Sequence, residues 1–120
     1  MNDEGGDPLF VYGTLRDDEM VRQVTGRTFP KGDGTLAGYR RVGEASGFPY
    51  PYLVVQEGEV TKGTVLLGIG PEHLARLDVY EGACYERRRV VVATGQGTCH
   101  AWVYVGVEER IVREVRRRVE

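Results

Sequence analysis

Two short stretches of this 120-residue chain hold residue types that can do chemistry. The first, Phe10-Val11-Tyr12-Gly13-Thr14-Leu15, reads as an apolar strand that passes through glycine into the start of a helix. The amides of Gly13, Thr14 and Leu15 would then lack intrahelical acceptors. Free N–H groups at a helix start attract anions, because the helix dipole adds to their own. The same pattern also describes a plain tight turn between strand and helix, with Thr14 as its cap. The second stretch, Leu77-Asp78-Val79-Tyr80-Glu81-Gly82, sets a carboxylate beside glycine where a helix should end. The negative end of the dipole disfavours another negative charge there and raises its pKa, and an apolar surrounding raises it further. A carboxyl tuned in that way moves protons near neutral pH. Pointed into water, Glu81 would be an ordinary surface acid. A third feature is a scatter of tyrosines: Tyr12, Tyr50, Tyr52, Tyr85 and Tyr104. Such residues can wall an apolar cavity and still present a hydroxyl, or simply fill a core.

Other chemistries have less to work with. Cys84 and Cys99 form no CxxC pair, and His73 and His100 stand alone, so no metal site and no cofactor are expected. Neither a Ser/His/Asp nor a Cys/His arrangement is evident. The formal charge is −2, and the basic clusters Arg87-Arg88-Arg89 and Arg116-Arg117-Arg118 are interleaved or flanked by Glu86, Glu114 and Glu120. They read as solvated faces rather than as a nucleic-acid patch, since no base-stacking aromatics sit among them. No run approaches the ~18 apolar residues of a membrane span. No charged segment followed by an apolar one opens the chain, so a cytoplasmic protein is expected.

The elements that must position these residues can be sketched. Residues 1–7 are polar and glycine-rich and should be a flexible terminus, leaving one domain over 8–120. Pro8 to Tyr12 reads as a buried strand, and Thr14 with Asp17 and Asp18 as the start of a short helix that stops at Gly26. Thr35–Val42 reads as a strand, and Gly47 to Tyr52, with two prolines, as a loop. Leu53-Val54-Val55 and Gly63–Ile69 read as two strands separated by a turn at Glu57-Gly58-Glu59. Pro71–Tyr80 is the clearest helix, with proline near its start, Gly82 past its end, and a stripe of Leu74 and Leu77 continued by Tyr80 or Val79. Tyr85–Ala93 and Thr98–Val105 form a hairpin about a turn at 94–97. Glu108–Val119 is a last helix, whose Ile111, Val115 and Val119 would dock on the sheet. The sum is an α+β domain, a small mixed β-barrel with two or three short peripheral helices.

Taken together, these segments resemble a known family. Phe10-Val11-Tyr12-Gly13-Thr14-Leu15, Pro49-Tyr50-Pro51-Tyr52-Leu53, Gly63-Thr64-Val65-Leu66, Leu77 to Gly82 with Tyr85-Glu86-Arg87, and Ala101-Trp102-Val103-Tyr104-Val105 occur in this order. The pattern is similar to that of the gamma-glutamylcyclotransferase-like superfamily, including gamma-glutamylamine cyclotransferases and the avirulence-induced-gene branch. The resemblance implies a β-barrel flanked by helices and a small-molecule gamma-glutamyl substrate, with no metal and no covalent intermediate. It implies Glu81 as catalytic acid/base, and Tyr12, Gly13, Thr14 and Leu15 as the turn that holds the substrate, with Tyr52, Tyr85 and Tyr104 lining the cavity. The implied reaction releases 5-oxoproline when the substrate's α-amine attacks its own γ-carbonyl. Two other outcomes remain open at this level: a binding module that holds a small carboxylate or peptide end without turning it over, and amide hydrolysis without cyclisation.

Overall fold

The apolar run near the start of the chain forms β1 (Asp7–Val11), and its side chains are buried on both faces of the sheet. Leu9 and Val11 join a cluster under the helices, while Phe10 and the following Tyr12 enter the barrel interior. A strand covered on both sides reads as a continuous apolar run rather than an alternating one, as this one does. The computed structural model describes residues 6–43 and 48–119. The terminus expected to be flexible lies mostly outside those residues. Asp7, however, belongs to β1, and its carboxylate accepts from Trp102 Nε1 at 3.2 Å and from Arg89 Nη1 at 3.4 Å.

After β1 come a single 3-10 turn (Thr14–Arg16), α1 (Asp18–Thr25), β2 (Lys31–Val42), β3 (Tyr52–Ile69), α2 (Pro71–Glu81), β4 (Tyr85–Thr94), β5 (Gly97–Gly106) and α3 (Glu108–Val119). The strands close into a barrel in the order β1-β3-β2-β4-β5. Every neighbouring pair is antiparallel except β1 and β5, whose parallel contact at Leu9 and Trp102 completes the ring. Along β5 the alternation is clean. Ala101, Val103 and Val105 fill the barrel, and Trp102 and Tyr104 face outward under the helical layer.

Two expectations need correction. The turn expected at 57–59 does not reverse the chain, and 52–69 is one strand. Gly58 and, on the facing strand, Gly38 both take positive φ (90° and 87°), so the ladder with β2 shifts register there and continues. A bulge absorbs the extra residues because β2 runs alongside on both sides of them. Thr14 also does not cap an α-helix. The 3-10 turn intervenes, and Asp17 is the cap of α1, accepting from the Glu19 amide at 3.3 Å. Asp17 sits three residues closer to the run of helical residues and offers the shorter reach to their free amides. The hairpin forms with Thr94 paired to Gly97. In α3, Ile111 is buried, Val115 is partly buried and Val112 is exposed. The start of α3 hangs on the connection between α2 and β4 through Val107 N–H to Cys84 O and Arg110 Nη1 to Ala83 O. The expected docking of Val119 falls outside the described side chains.

The exit of β1 is packed to contact against β3. A Cβ built on Gly63 would lie 2.5 Å from the Val11 carbonyl oxygen and 2.6 Å from the Phe10 ring. Gly63→Ala should therefore cost about 1–3 kcal/mol, since neither backbone nor a fully buried ring can give way cheaply. Urea unfolding should show a lower midpoint at unchanged slope. Gly32→Ala, where a Cβ meets nothing within 4 Å, should stay within about 0.5 kcal/mol of the parent.

Candidate active site

Glu81 is the last residue of α2, and its placement follows from helix geometry. Leu74 and Leu77 are buried on the face turned to the barrel. Residues four and seven positions apart share a helix face, so Glu81 continues the stripe that Leu74 and Leu77 begin. The residues expected to continue it do not: Val79 is 82% exposed and Tyr80 42%. Glu81 is partly buried instead and lines a cavity of about 230 Å³ at the barrel mouth. Burial pushes its carboxyl up to about 7. Among the described residues no side chain or amide hydrogen-bonds to it, so nothing offsets the loss of water around the charged form.

The same cavity is bordered by Tyr12, Gly13, Thr14 and Leu15 at the end of β1. In the 3-10 turn the Arg16 amide donates to Gly13 O at 3.0 Å and the Asp17 amide to Thr14 O at 3.1 Å. The amides of Gly13, Thr14 and Leu15 have no acceptor among the described residues. A three-residue turn carries little macrodipole, so their attraction for an anion rests on clustered N–H groups rather than on a helix axis. Gly13 is crowded by Pro51, whose Cγ would lie 3.0 Å from a Cβ placed there. Across the mouth, the hydroxyls of Thr14 and Tyr80 share a hydrogen bond of 3.0 Å, which joins the turn to α2.

Tyr12, Tyr85 and Tyr104 also line the cavity, and each spends its hydroxyl proton on the frame. Tyr12 donates to Tyr104 O, Tyr85 to Pro51 O at 2.8 Å, and Tyr104 to Asp78 Oδ1 at 2.6 Å. Burial drives all three phenols well above their ordinary pKa, so they stay neutral and present ring surface. Tyr52 is not brought to this wall. Leu53 beside it enters the barrel, and alternation turns Tyr52 to the other face, where its ring meets Phe48 at 5.8 Å and covers Gly106. Tyr50 and Pro51 line the cavity in its place, with Tyr80 from α2. Tyr80 could have been found from its position one residue before Glu81.

Asp78, on the same helix, has no local sequence signal that sets it apart from a surface acid. Its carboxylate takes two bonds from Arg87, Nε to Oδ1 at 2.9 Å and Nη2 to Oδ2 at 3.2 Å, besides the one from Tyr104. Burial alone would raise its pKa, but the Arg87 and Tyr104 bonds outweigh that and hold it below the usual carboxylate range. The neighbouring guanidiniums are paired as well, Arg88 with Glu86 and Arg89 with Asp7. Among the described residues no group of three or more His, Cys, Asp or Glu could hold a metal ion, and no helix is long and apolar enough to cross a membrane.

A carboxyl held near 7 in the native chain and near 4.5 when unfolded binds more protons folded than unfolded between those values. The stability it leaves intact in acid is therefore lost as pH rises from about 4.5 through about 7. Glu81→Gln removes that loss. Its Tm relative to the parent should climb between pH 5 and pH 8 and level off above, as thermal unfolding across buffers would record.

A family model described as gamma-glutamyl cyclotransferase, AIG2-like, matches residues 9–118. AIG2-like protein A of Arabidopsis thaliana is 35% identical over 79 residues, which are 66% of this chain and 47% of that protein. The chain spans about half the length of the curated relatives it matches. A solution structure of another Arabidopsis thaliana protein superposes with a TM-score of 0.81 at 27% identity, covering 90% of this chain and 73% of that one. A structure of a gamma-glutamyl cyclotransferase gives 0.72 at 19% identity, covering 85% and 67%, a likeness of fold. With the model match running through nearly the whole barrel and its helices, the chain belongs to the gamma-glutamyl cyclotransferase, AIG2-like family.

Proposed function

We propose that this chain is a cyclotransferase that releases 5-oxoproline from a gamma-glutamyl amine or gamma-glutamyl amino acid. The observation that carries the reading is one cavity lined both by Glu81, whose carboxyl burial pushes up to about 7, and by Gly13, Thr14 and Leu15, whose amides have no acceptor among the described residues. In this reading the amides hold the substrate's α-carboxylate. Lys and Arg are missing from the cavity lining among the described residues, and the hydroxyls of Tyr12, Tyr85 and Tyr104 are already engaged. The tyrosine rings close the apolar walls and bend the glutamyl chain on itself. Nucleophile and electrophile then belong to one molecule, and holding them in a near-ring shape supplies much of the rate.

The chemistry needs little else. Glu81 takes a proton from the α-ammonium, and the freed nitrogen attacks the γ-carbonyl carbon to close a five-membered ring. Glu81 hands that proton to the leaving nitrogen as the original amide bond breaks. The second proton shed by the ring nitrogen ends on the departed amine, and Glu81 is again a carboxylate. A carboxyl titrating near 7 suits both directions of transfer, accepting readily and donating readily at neutral pH.

Incubation with a panel of gamma-glutamyl amines and amino acids, with 5-oxoproline detected, is the direct test. Saturable binding without product would favour a holding module, and free glutamate in place of 5-oxoproline would favour hydrolysis. Glu81→Gln keeps the size of the side chain and removes the base, so turnover should fall by about 10²-fold or more. For the parent, kcat should drop about tenfold per unit as pH falls below about 7, since protonated Glu81 cannot accept. The residual activity of Glu81→Gln should lack that limb.

A further inference from the structure

An ionised Glu81 has a standing reason to leave the cavity. Its carboxylate has no partner among the described residues, and water is one side-chain rotation or one frayed helical turn away. The last turn of a helix is where fraying starts, because its carbonyls lack intrahelical donors. Beyond Leu77, the apolar anchors of α2 are spent: Val79 is exposed and the chain departs at Gly82. Something other than apolar burial must hold residues 78–81 in place.

We propose that Asp78, Arg87 and Tyr104 form the clamp that positions Glu81, fixing the last turn of α2 to the β4–β5 hairpin so that the carboxyl stays inside the cavity mouth. Asp78 lies three residues before Glu81, within the same turn, and its carbonyl accepts the Gly82 amide at 3.1 Å. Arg87 grips Asp78 from β4 with two bonds, and Tyr104 does so from β5 with a third. Exposed ion pairs contribute little on average, but a bidentate guanidinium–carboxylate pair with an added hydroxyl donor is held in one geometry. The guanidinium is fixed in turn, with its Cζ 4.3 Å from the centre of the Trp102 ring. Tyr104 belongs to both assemblies: its ring lines the cavity while its hydroxyl reaches out to the clamp.

The proposal rests, for its kinetic arm only, on Glu81 being the proton carrier. The groups around Glu81 in the cavity are Tyr12 just after β1, Tyr85 from β4, Tyr104 from β5 and Thr14 from the turn, with Tyr80 on its own helix and Asp78 one turn back along it, outside the lining. Arg87 and, beyond Tyr12, Arg41 are the cations nearby. The phenols of Tyr12, Tyr85 and Tyr104 stay protonated across the working range, so changes in the titration of Glu81 report on its own surroundings and on the Asp78–Arg87 pair.

That pair offers a test in which charge and position act with opposite sign. Arg87→Gln removes a cation and leaves Asp78 uncompensated, which by charge alone would push Glu81 further up. A loosened clamp instead lets Glu81 reach water and brings it down. Carbon-13 NMR titration of the Glu81 carboxyl should show a fall of about one unit. In steady-state assays kcat should drop about 10- to 100-fold with KM changed less than about threefold. Tyr104→Phe, which keeps every charge and removes only the hydroxyl, should move both readouts in the same direction by a smaller amount and stands in if Arg87→Gln does not fold. A Glu81 titration that rises or stays in place in the folded variants would overturn the positioning role. Turnover at the parent kcat would do the same. Should the parent release no 5-oxoproline from any substrate, the cyclotransferase reading fails, and the NMR titration still decides whether the clamp sets the environment of Glu81.

Discussion

A single carboxyl partly withdrawn from water, without a countercharge beside it, is the constraint around which the cavity mouth is arranged. The arrangement works by withholding partners. The phenols nearest Glu81 could each stabilise its charged form by donating a hydrogen bond, yet all three hydroxyls are committed to backbone carbonyls or to Asp78. The guanidinium that could draw the charge outward is occupied by Asp78. Two acids within one helical turn are thereby driven apart: Asp78, bound by Arg87 and Tyr104, lies low, and Glu81, bound by nothing among the described residues, lies high. Separating the pKa values of neighbouring carboxyls is the means by which one of them becomes useful at neutral pH.

The barrel supplies the rigidity that such withholding requires. β1 and the residue after it are buried on both faces, with Leu9 and Val11 under the helices and Phe10 and Tyr12 inside the barrel. Four consecutive buried side chains leave its C-terminal end no freedom to shift. The turn at 13–15 is therefore presented at a fixed point, with Arg41 Nε bonded to Tyr12 O at 3.1 Å from the β2 side. Opposite it, Arg76 Nη1 donates to Thr25 O at 3.1 Å and ties α2 to the end of α1. The cavity is the gap left between two elements, each anchored to the same barrel by separate contacts.

Much of this was legible from residue types. The buried strand, the helix over 71–81, the hairpin and the last helix all announced themselves by apolar runs, proline and glycine. So did the pairing of the turn after β1 with Glu81, once the family pattern was recognised. What escaped did so for identifiable reasons. A glycine flanked by glutamates reads as a turn in isolation, and only the presence of β2 on both sides makes Glu57-Gly58-Glu59 a bulge. Thr14 and Asp17 are both good caps, and the choice between them depends on a 3-10 turn that no composition specifies. Tyr50 and Tyr52 differ in that Tyr50 sits in the bend ahead of β3 while Tyr52 is its first residue, turned away from the barrel interior by Leu53 entering it, and nothing in the Pro-Tyr-Pro-Tyr run marks where the strand begins. The Asp78–Arg87–Tyr104 clamp joins three elements and has no local signature at all. The one missed signal that was present in the sequence is the spacing Leu74, Leu77, Glu81. Counting the stripe forward by four rather than by two or three would have turned Glu81 inward without any coordinates.

The modest size of the site accords with the reaction proposed for it. An enzyme that joins two molecules must bind both and pay for ordering each. When the attacking amine and the target carbonyl sit on one short chain, the protein has only to favour its folded shape and move a proton. That requires walls, one anion anchor and one carrier, roles that the proposal gives to the ring surfaces, bare amides and Glu81 lining the 230 Å³ cavity. Apolar walls serve a second end, because each water admitted beside Glu81 would solvate its charge and return its pKa toward the ordinary value. In the proposed reaction the same apolar walls would also keep a competing water from the carbonyl. In the proposed reaction, cyclisation over hydrolysis would then rest on keeping water from the carbonyl, and not on a group dedicated to choosing between them.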